Sequence, residues 1–330
     1  MKTKRFVSTL LALLLVCSLP VSAFADNWYL ENGDITVNAT ESGQTVTQGA
    51  QVDVPDSAPV ITQSNSEMPT TNTVTINADA GATANVTLSG VNIDVSGTGD
   101  VMAMQAGKAA VEITGNGDVT LELDGTNTVQ SGVWRAGVEK NTIEATETEA
   151  ASGKGNLTIT DENGTAGSLN ATGNAAGIGG SYEGSASNIT ITGSAKVIAQ
   201  GGSGGAGIGD GSDITISGSA VVTAQGGEWG AGIGGGSKGS GSGITISGSA
   251  EVTATGGENA SGIGGGFKGT GSDITVSEDA QVKAQGGVLD VRGDNFDGAG
   301  AAIGDGGAWN KDGDEVEPNT GALTPNGRIE

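Results

Sequence analysis

One segment recurs along the second half of this chain, and this repetition constrains the fold more than any other feature. The stretch SDITISGSAVVTAQGGEWGAGIGGG, residues 212–236, nearly repeats on either side as SNITITGSAKVIAQGGSGGAGIGDG and SGITISGSAEVTATGGENASGIGGG. Its first apolar run recurs at offsets of 25, 30 and 30 residues, at Ile189, Ile214, Ile244 and Ile274. Self-similarity at a nearly fixed period is the signature of a repeat architecture.

Each copy contains three short apolar runs that have the character of β-strands. In Ile-Thr-Ile the isoleucines point to one side and the threonine to the other, which is the two-residue period of a strand. The Gly, Ser, Asp and Asn residues between the runs permit tight bends. If copies stack, each strand pairs with its equivalent in the next copy, about 4.8 Å away. The sequence therefore predicts an all-β fold, a right-handed parallel β-helix of about eight three-sided coils.

The repeat divides the chain into four segments. Residues 1–25, MKTKRFVSTLLALLLVCSLPVSAFA, have the basic start, apolar run and small-residue end of a secretory signal peptide. Residues 26–73 are expected to form a strand-rich cap, since the open edge of a sheet invites pairing with other chains. Residues 74–307 form the predicted β-helix, and residues 308–330 form an acidic tail. The signal peptide predicts a protein that is secreted, either released outside the cell or held at a bacterial cell surface.

Composition excludes several classes of function. The formal charge is −24, and it becomes −27 on removal of residues 1–25, which hold three of the 14 basic residues and none of the 38 acidic ones. Nucleic acid and anionic membranes are therefore poor partners, and no insertion of the mature chain into a membrane is expected. The chain has no histidine, and its one cysteine, Cys17, lies in the signal peptide. Ser-His-Asp hydrolysis, zinc held by histidine and disulfides are excluded.

Carboxylates cluster in the glycine-rich joints between the apolar runs. Closely spaced carboxylates with nearby backbone carbonyls supply the hard oxygen ligands that Ca²⁺ prefers. Solvated acidic turns are the alternative interpretation, since no joint matches a complete calcium-binding motif. The candidate ligands are Asp210, Asp213, Asp294, Asp297 and Asp305.

Aromatic residues are few, so their positions in the repeat are informative. Trp134 and Trp229 each lie four residues before the aliphatic residue of the third run, and Tyr182 and Phe267 each lie four residues after it. These positions predict corners of the coil rather than its interior. Members of each pair are three copies apart, about 14 Å at the spacing of strands. That spacing suits a line of sugar rings, although the same side chains are equally suited to covering the joints between coils.

Several motifs in order, VTLSGVNI, ITGNGDVTLELDGTNTV, AGIGG and ITISGSAVVTAQGG, resemble the secreted carbohydrate-binding β-helix proteins of clostridia and related gut Firmicutes. The resemblance covers most of residues 74–307. It implies a right-handed parallel β-helix, bound calcium, and non-catalytic binding of plant cell-wall or acidic polysaccharide at the cell surface. No family site motif carries over residue by residue, so the candidate residues above come from the sequence of this chain.

These observations are compatible with three functions. The first is non-catalytic, calcium-assisted binding of an extracellular polysaccharide from plant cell walls or a host, in which calcium bridges an acidic glycan to the negative surface. The second is a structural adhesin or spacer with no defined glycan. The third is a polysaccharide lyase or hydrolase, which is disfavoured because basic residues are few and scattered. The chain is accordingly predicted not to be an enzyme.

Overall fold

The chain folds almost entirely into β-strands and turns. The computed structural model describes residues 25–142, 153–277, 279–288 and 299–307, together with the backbone of strands 323–325 and 328–329. Within those ranges the only helix is a single 3-10 turn, Leu30–Asn32. The prediction of an all-β fold is confirmed. The predicted signal peptide, apart from Ala25, and most of the acidic tail lie outside the described residues.

The strands are short and follow one another at close intervals. Those of the N-terminal segment are β1 (Asn27–Tyr29), β2 (Ile35–Thr40), β3 (Gly43–Gln48), β4 (Gln51–Pro55) and β5 (Val60–Thr62). The next are β6 (Val74–Ala78), β7 (Thr83–Ser89), β8 (Asn92–Asp94), β9 (Val111–Gly115), β10 (Asp118–Gln130), β11 (Val138–Lys140), β12 (Leu157–Thr160) and β13 (Gly167–Thr172). The most regular copies contain β14 (Ile178–Gly179), β15 (Ser187–Ile191), β16 (Lys196–Gln200), β17 (Ile208–Gly209), β18 (Ser212–Ile216), β19 (Val221–Gln225), β20 (Ile233–Gly234), β21 (Gly241–Ile246), β22 (Glu251–Thr255), β23 (Ile263–Gly264), β24 (Gly271–Val276), β25 (Gln281–Gln285) and β26 (Ile303–Gly304). Two strands follow, β27 (Leu323–Pro325) and β28 (Arg328–Ile329).

Equivalent strands of successive copies pair in parallel and form three ladders. The first ladder contains β1, β5, β7, β10, β12, β15, β18, β21, β24 and β27. The second contains β8, β10, β13, β16, β19, β22, β25 and β28. The third contains β2, β6, β9, β11, β14, β17, β20, β23 and β26. Strand β10 is long enough to belong to both the first and the second ladder.

The pairing register is the one that the sequence repeat predicts. Ile189 pairs with Ile214 in the first ladder, and Val197 pairs with Val222 in the second. In the third ladder the paired isoleucines are Ile178, Ile208, Ile233, Ile263 and Ile303, in that order. A one-residue slip would turn every buried side chain outward, so the alternating pattern holds the strands in this register.

The core consists of columns of aliphatic side chains from the three ladders. The paired isoleucines of the first ladder are 3% exposed or less, whereas the threonines between them, such as Thr190 and Thr215, are partly exposed. Alanines complete the columns in the second ladder, for example Ala199 and Ala224. Burial of apolar area is therefore spread along the whole length of the ladders, and no large aromatic core is needed.

The N-terminal segment covers the starting edge of the third ladder. Strand β2 pairs in parallel with β6, but its other edge pairs antiparallel with β3, which pairs antiparallel with β4. The Trp28 indole N–H donates a buried 2.8 Å hydrogen bond to Asp56 Oδ2, which joins β1 to the connection after β4 within this segment. Because β1 and β5 also extend the first ladder, residues 26–73 continue the same strand pairing as the repeats.

Each regular third-ladder strand ends in a glycine that no other residue replaces without strain. Gly234 has φ +127°, in the left-handed region, and an added Cβ would collide with the carbonyl oxygen of Gly264 on the next strand. Gly209 has the same geometry against Gly234. Glycine is required here by backbone conformation and by the close approach of neighbouring strands.

Candidate functional site

Two aromatic pairs lie along the edge beside the third ladder, where the loop that enters one strand of this ladder meets the loop that leaves the next strand. Trp134 precedes β11, and Tyr182 follows β14, the next strand of that ladder. The Tyr182 N–H donates to the Trp134 carbonyl oxygen at 2.9 Å, and the two rings stack with centroids 6.1 Å apart and planes at 28°. Tyr182 is 54% exposed and Trp134 is partly exposed, so this pair presents ring surface to solvent.

The second pair repeats this arrangement further along the edge. Trp229 precedes β20, Phe267 follows β23, and the Phe267 N–H donates to the Trp229 carbonyl oxygen at 2.9 Å. The ring centroids are 6.4 Å apart, and Lys268 Nζ lies 5.0 Å from the centre of the Phe267 ring. Phe267 is only 8% exposed, whereas Trp229 is 38% exposed. Phe267 therefore lies at a corner but is covered by its neighbours, because Trp229 packs beside it.

The two pairs are separated by a gap in the row of corner loops. Ser187, Ser212 and Ser242 occupy equivalent positions in successive first-ladder strands. Only two residues, 210 and 211, separate Ser212 from the end of β17. Seven residues separate Ser187 from the end of β14 (180–186), and seven separate Ser242 from the end of β20 (235–241). The short connection belongs to the copy with the 25-residue offset in the sequence. The missing loop leaves a cavity of about 330 Å³ between the loops on either side, which we call the notch.

Asp210 lies in the short connection and lines the notch together with Tyr182, Glu183, Gly204, Ser237 and Lys238. Its Oδ1 accepts a 2.9 Å hydrogen bond from the Ala206 N–H, and an added Cβ at Gly236 would collide with that oxygen. Within the described part of the chain, Asp210 forms no ion pair. Desolvation by burial raises the pKa of the Asp210 carboxyl from 3.8 to about 8, opposed by the Ala206 hydrogen bond. The notch thus contains a poorly solvated acid without a countercharge.

The other predicted calcium ligands do not join Asp210. Asp213 is exposed on β18 and accepts a 3.0 Å hydrogen bond from Ser212 Oγ. Asp305 is buried at the register position of Asp210 but three strands further along, about 14 Å away, and its Oδ1 accepts from the Gly271 N–H at 2.7 Å. Asp294 and Asp297 lie outside the described residues. Among the residues described, no three Asp, Glu, Cys or His side chains are grouped closely enough to hold a metal ion, so these side chains do not fit a calcium site.

A buried ionic cluster next to the first aromatic pair was not anticipated from the sequence. Arg135 binds Glu112 at 2.7 Å and Glu139 at 3.0 Å, and Glu139 occupies the register position that is glycine in later copies. Burial raises the pKa of Glu139, opposed by the Arg135 charge. Lys140 is 2% exposed, and its Nζ donates to the carbonyl oxygens of Gly153 and Ser187, each at 2.7 Å. The partners of these side chains are groups of the chain itself, so the cluster holds neighbouring copies together.

Comparison with known proteins gave no assignment, because no family model, no curated protein and no solved structure matches this chain. Across the ranges that the structure describes, there is also no helix with the length and apolar character needed to span a membrane. The candidate site is therefore defined by geometry alone, as an edge that carries an aromatic pair, a notch and a second aromatic pair.

Proposed function

We propose that this chain is a non-catalytic protein that binds an extracellular polysaccharide along the edge containing the notch. The observation that carries the proposal is the order of features on that edge: the exposed stack of Trp134 and Tyr182, the notch with Asp210, and then Trp229 over Phe267. Aromatic faces contact the C–H surfaces of sugar rings, while carboxyl and hydroxyl groups bind sugar hydroxyls. Specific sites combine apolar walls with a few placed polar groups in this manner.

The proposal includes the finer architecture expected from the sequence, a right-handed parallel β-helix of about eight three-sided coils. The three parallel ladders and their constant register support it, because each copy contributes one strand to each ladder in turn. In this architecture the edge is straight, and equivalent corners recur every 4.8 Å or so. Trp134 and Trp229 then lie about 14 Å apart, since three strand steps separate β11 from β20.

The site is proposed to act outside the cell, at a bacterial surface or in released form. The signal-peptide pattern of residues 1–25 supports export. The strongly negative charge supports a carbohydrate ligand rather than a nucleic acid or an anionic membrane. Plant cell walls and host glycans are the two sources of such polymers that the resemblance and the localisation support.

Calcium remains a sequence-based prediction. The described carboxylates do not form a group, so we derive no binding step through the ion. Retention of the mature chain on pectate, measured with Ca²⁺ and with EDTA, tests it directly. Retention that requires Ca²⁺ would support the prediction, and equal retention under both conditions would contradict it.

The decisive experiment compares polysaccharide binding by residues 26–330 with and without their aromatic pairs. We expect Trp229→Ala and Trp134→Ala to lower retention on insoluble cellulose, pectate or mucin by about tenfold or more, the cost typical of a central aromatic contact. Tyr29→Ala is the matched control, because Tyr29 is 38% exposed, as Trp229 is, but lies in the N-terminal segment. It is expected to bind as the unmodified chain does.

Two results would overturn the proposal. No retention on any polymer would favour the adhesin or spacer. New reducing ends or unsaturated products during the incubation would favour the lyase or hydrolase.

A further inference from the structure

The notch differs from the rest of the proposed site because an acidic group lines it without a basic partner. Asp210 Oδ1 is occupied by the Ala206 N–H, and within the described residues Oδ2 has no hydrogen-bond partner. The cavity walls are mostly glycine and serine, which leave room for a ligand to approach the backbone and the carboxyl. Once Asp210 is ionised, such an arrangement disfavours a uronate or a sulfated sugar, because a ligand anion would then meet a partly buried carboxylate.

The other charges around the notch do not neutralise Asp210. Apart from Asp210, only Tyr182, Glu183 and Lys238 among the lining residues carry titratable side chains. Glu183 adds a second acid on the loop 180–186, and Lys238 projects from the opposite loop as an exposed side chain that forms no ion pair with Asp210. With both acids ionised the lining carries a net negative charge, which a cation at the Asp210 carboxyl would neutralise.

We propose that the notch binds an amino sugar with a free amine, whose ammonium group pairs with the Asp210 carboxylate while the sugar ring lies against Tyr182. This inference rests on the proposed polysaccharide-binding function and names the sugar that the site selects. The cavity of about 330 Å³ accommodates a single sugar unit between the two aromatic pairs. A charge-assisted hydrogen bond in a poorly solvated site is stronger than the same contact at the surface, so one such pair is sufficient for selectivity.

The partial burial of Asp210 also supports this interpretation. Desolvation disfavours the ionised carboxyl, which is why its pKa is raised. An ammonium ion favours the ionised form and offsets that cost. A neutral sugar hydroxyl supplies no charge and leaves the desolvation of the acid uncompensated.

The test uses two ligands that differ at the amine. Binding of a short β-1,4-linked glucosamine oligosaccharide and of its fully N-acetylated counterpart to residues 26–330 is measured by titration calorimetry at about pH 6. Because the pKa of Asp210 is about 8, the carboxyl must release a proton when it pairs with the ammonium group at this pH. We expect the free amine to bind more tightly. Asp210→Asn should weaken binding of the free amine by roughly tenfold or more, and binding of the N-acetylated ligand by less than about threefold.

The matched control is Asp213→Asn, which removes an equal charge three residues away, at an exposed position outside the cavity. It should change neither affinity by more than about twofold, because exposed charges are screened. Equal affinity of the unmodified chain for the two ligands, or equal losses from Asp210→Asn and Asp213→Asn, would overturn the inference.

Failure of this inference is distinguishable from failure of the proposed function. Trp229→Ala should weaken binding of both oligosaccharides alike, because it removes an aromatic contact that does not depend on the amine. If Trp229→Ala has that effect while the amine has none, polysaccharide binding stands and the amino-sugar assignment is wrong. If neither oligosaccharide binds and no insoluble polymer retains the chain, both are wrong.

Discussion

At the residue scale, the informative positions are those where one copy departs from its neighbours. Asp210 replaces the glycine found at Gly235 and Gly265 in the same register, and Glu139 replaces another glycine of this edge. Each substitution introduces a charge that is poorly solvated, and each shifts a carboxyl pKa upward. Glu139 is compensated by Arg135 at 3.0 Å, whereas Asp210 has no such partner. Uncompensated burial of an acid is costly for stability, and perturbed carboxyls of this kind occur at functional sites.

The cost of desolvating the Asp210 carboxyl is measurable as a dependence of stability on pH. Between 3.8 and about 8, the folded chain keeps a proton that the unfolded chain has released. The free energy of unfolding therefore falls as the pH rises through that window. We expect Asp210→Asn, which retains an acceptor for the Ala206 N–H, to be more stable than the unmodified chain at about pH 7, by roughly 1–4 kcal/mol. The difference should vanish at about pH 4.

Urea unfolding at the two pH values checks this expectation, with Asp213→Asn as the exposed control. Equal stability of Asp210→Asn and the unmodified chain at neutral pH would show that the carboxyl is well solvated in the folded state. A variant that is less stable at both pH values would show that the acid contributes hydrogen bonds that the amide does not replace.

At the scale of elements, the connections between ladders determine which part of the edge is open. The strands on either side of the short connection keep their register, since Ile214 still pairs with Ile189 and Thr215 pairs with Thr245. Five residues are lost from the connection without any change in the ladders. Loops tolerate such changes because closing a longer loop costs little free energy. The length of one turn thus controls access to the notch independently of the core.

Restoring the missing loop should close the notch and leave the fold intact. Inserting a copy of residues 237–241 between Gly211 and Ser212 gives this connection the length of its neighbours. We expect stability to change by less than about 1 kcal/mol, and binding of the glucosamine oligosaccharide to fall by roughly tenfold or more.

The control for the restored loop carries the same insertion between Gly248 and Ser249, a turn between the first and second ladders and away from the notch. This control should bind normally. Calorimetry and thermal unfolding of both variants give the result, and undiminished binding by the loop-restored chain would place the ligand elsewhere.

At the scale of the whole molecule, the chain is a series of similar units that contact mainly their neighbours. Each strand of a regular copy pairs with the equivalent strands one copy before and one copy after. Stability in such an array is approximately a sum over units and over the interfaces between them. The antiparallel strands β3 and β4 extend one end of the third ladder, so the edge of β2 is not open to pairing with a second chain.

Removal of one complete copy should therefore leave a folded, shorter molecule. Deleting residues 217–246 joins Ile216 to Ser247, which preserves the local sequence because Ser217 and Ser247 occupy equivalent positions. We expect a cooperative β-rich protein whose maximum dimension falls by about 4.8 Å. Deleting only residues 217–231 removes part of a copy and should abolish cooperative unfolding, because the following strands lose their partners. Circular dichroism and solution scattering distinguish the two, and loss of fold in both deletions would contradict independent stacking.

The sequence by itself determined the strands, their register and their buried faces. Alternation of Ile and Thr is a local pattern with a period of two, and the constant offset between copies specifies which residues pair, as with Ile189 and Ile214. These features depend on residues that are neighbours along the chain or lie one repeat away. Both kinds of relationship can be identified from the sequence alone.

Only the tertiary structure decided where the site is. The notch forms because loops from flanking copies stand on either side of a short connection, and no single copy contains it. Trp134 stacks on Tyr182, and Trp229 covers Phe267. In each pair the tryptophan precedes one third-ladder strand and its partner follows the next strand of that ladder, so the contact forms only when the two strands pair. The pKa of Asp210 depends on desolvation by groups that come together in space. Shape and dielectric environment arise from packing, and a repeat pattern that describes each copy separately does not contain them.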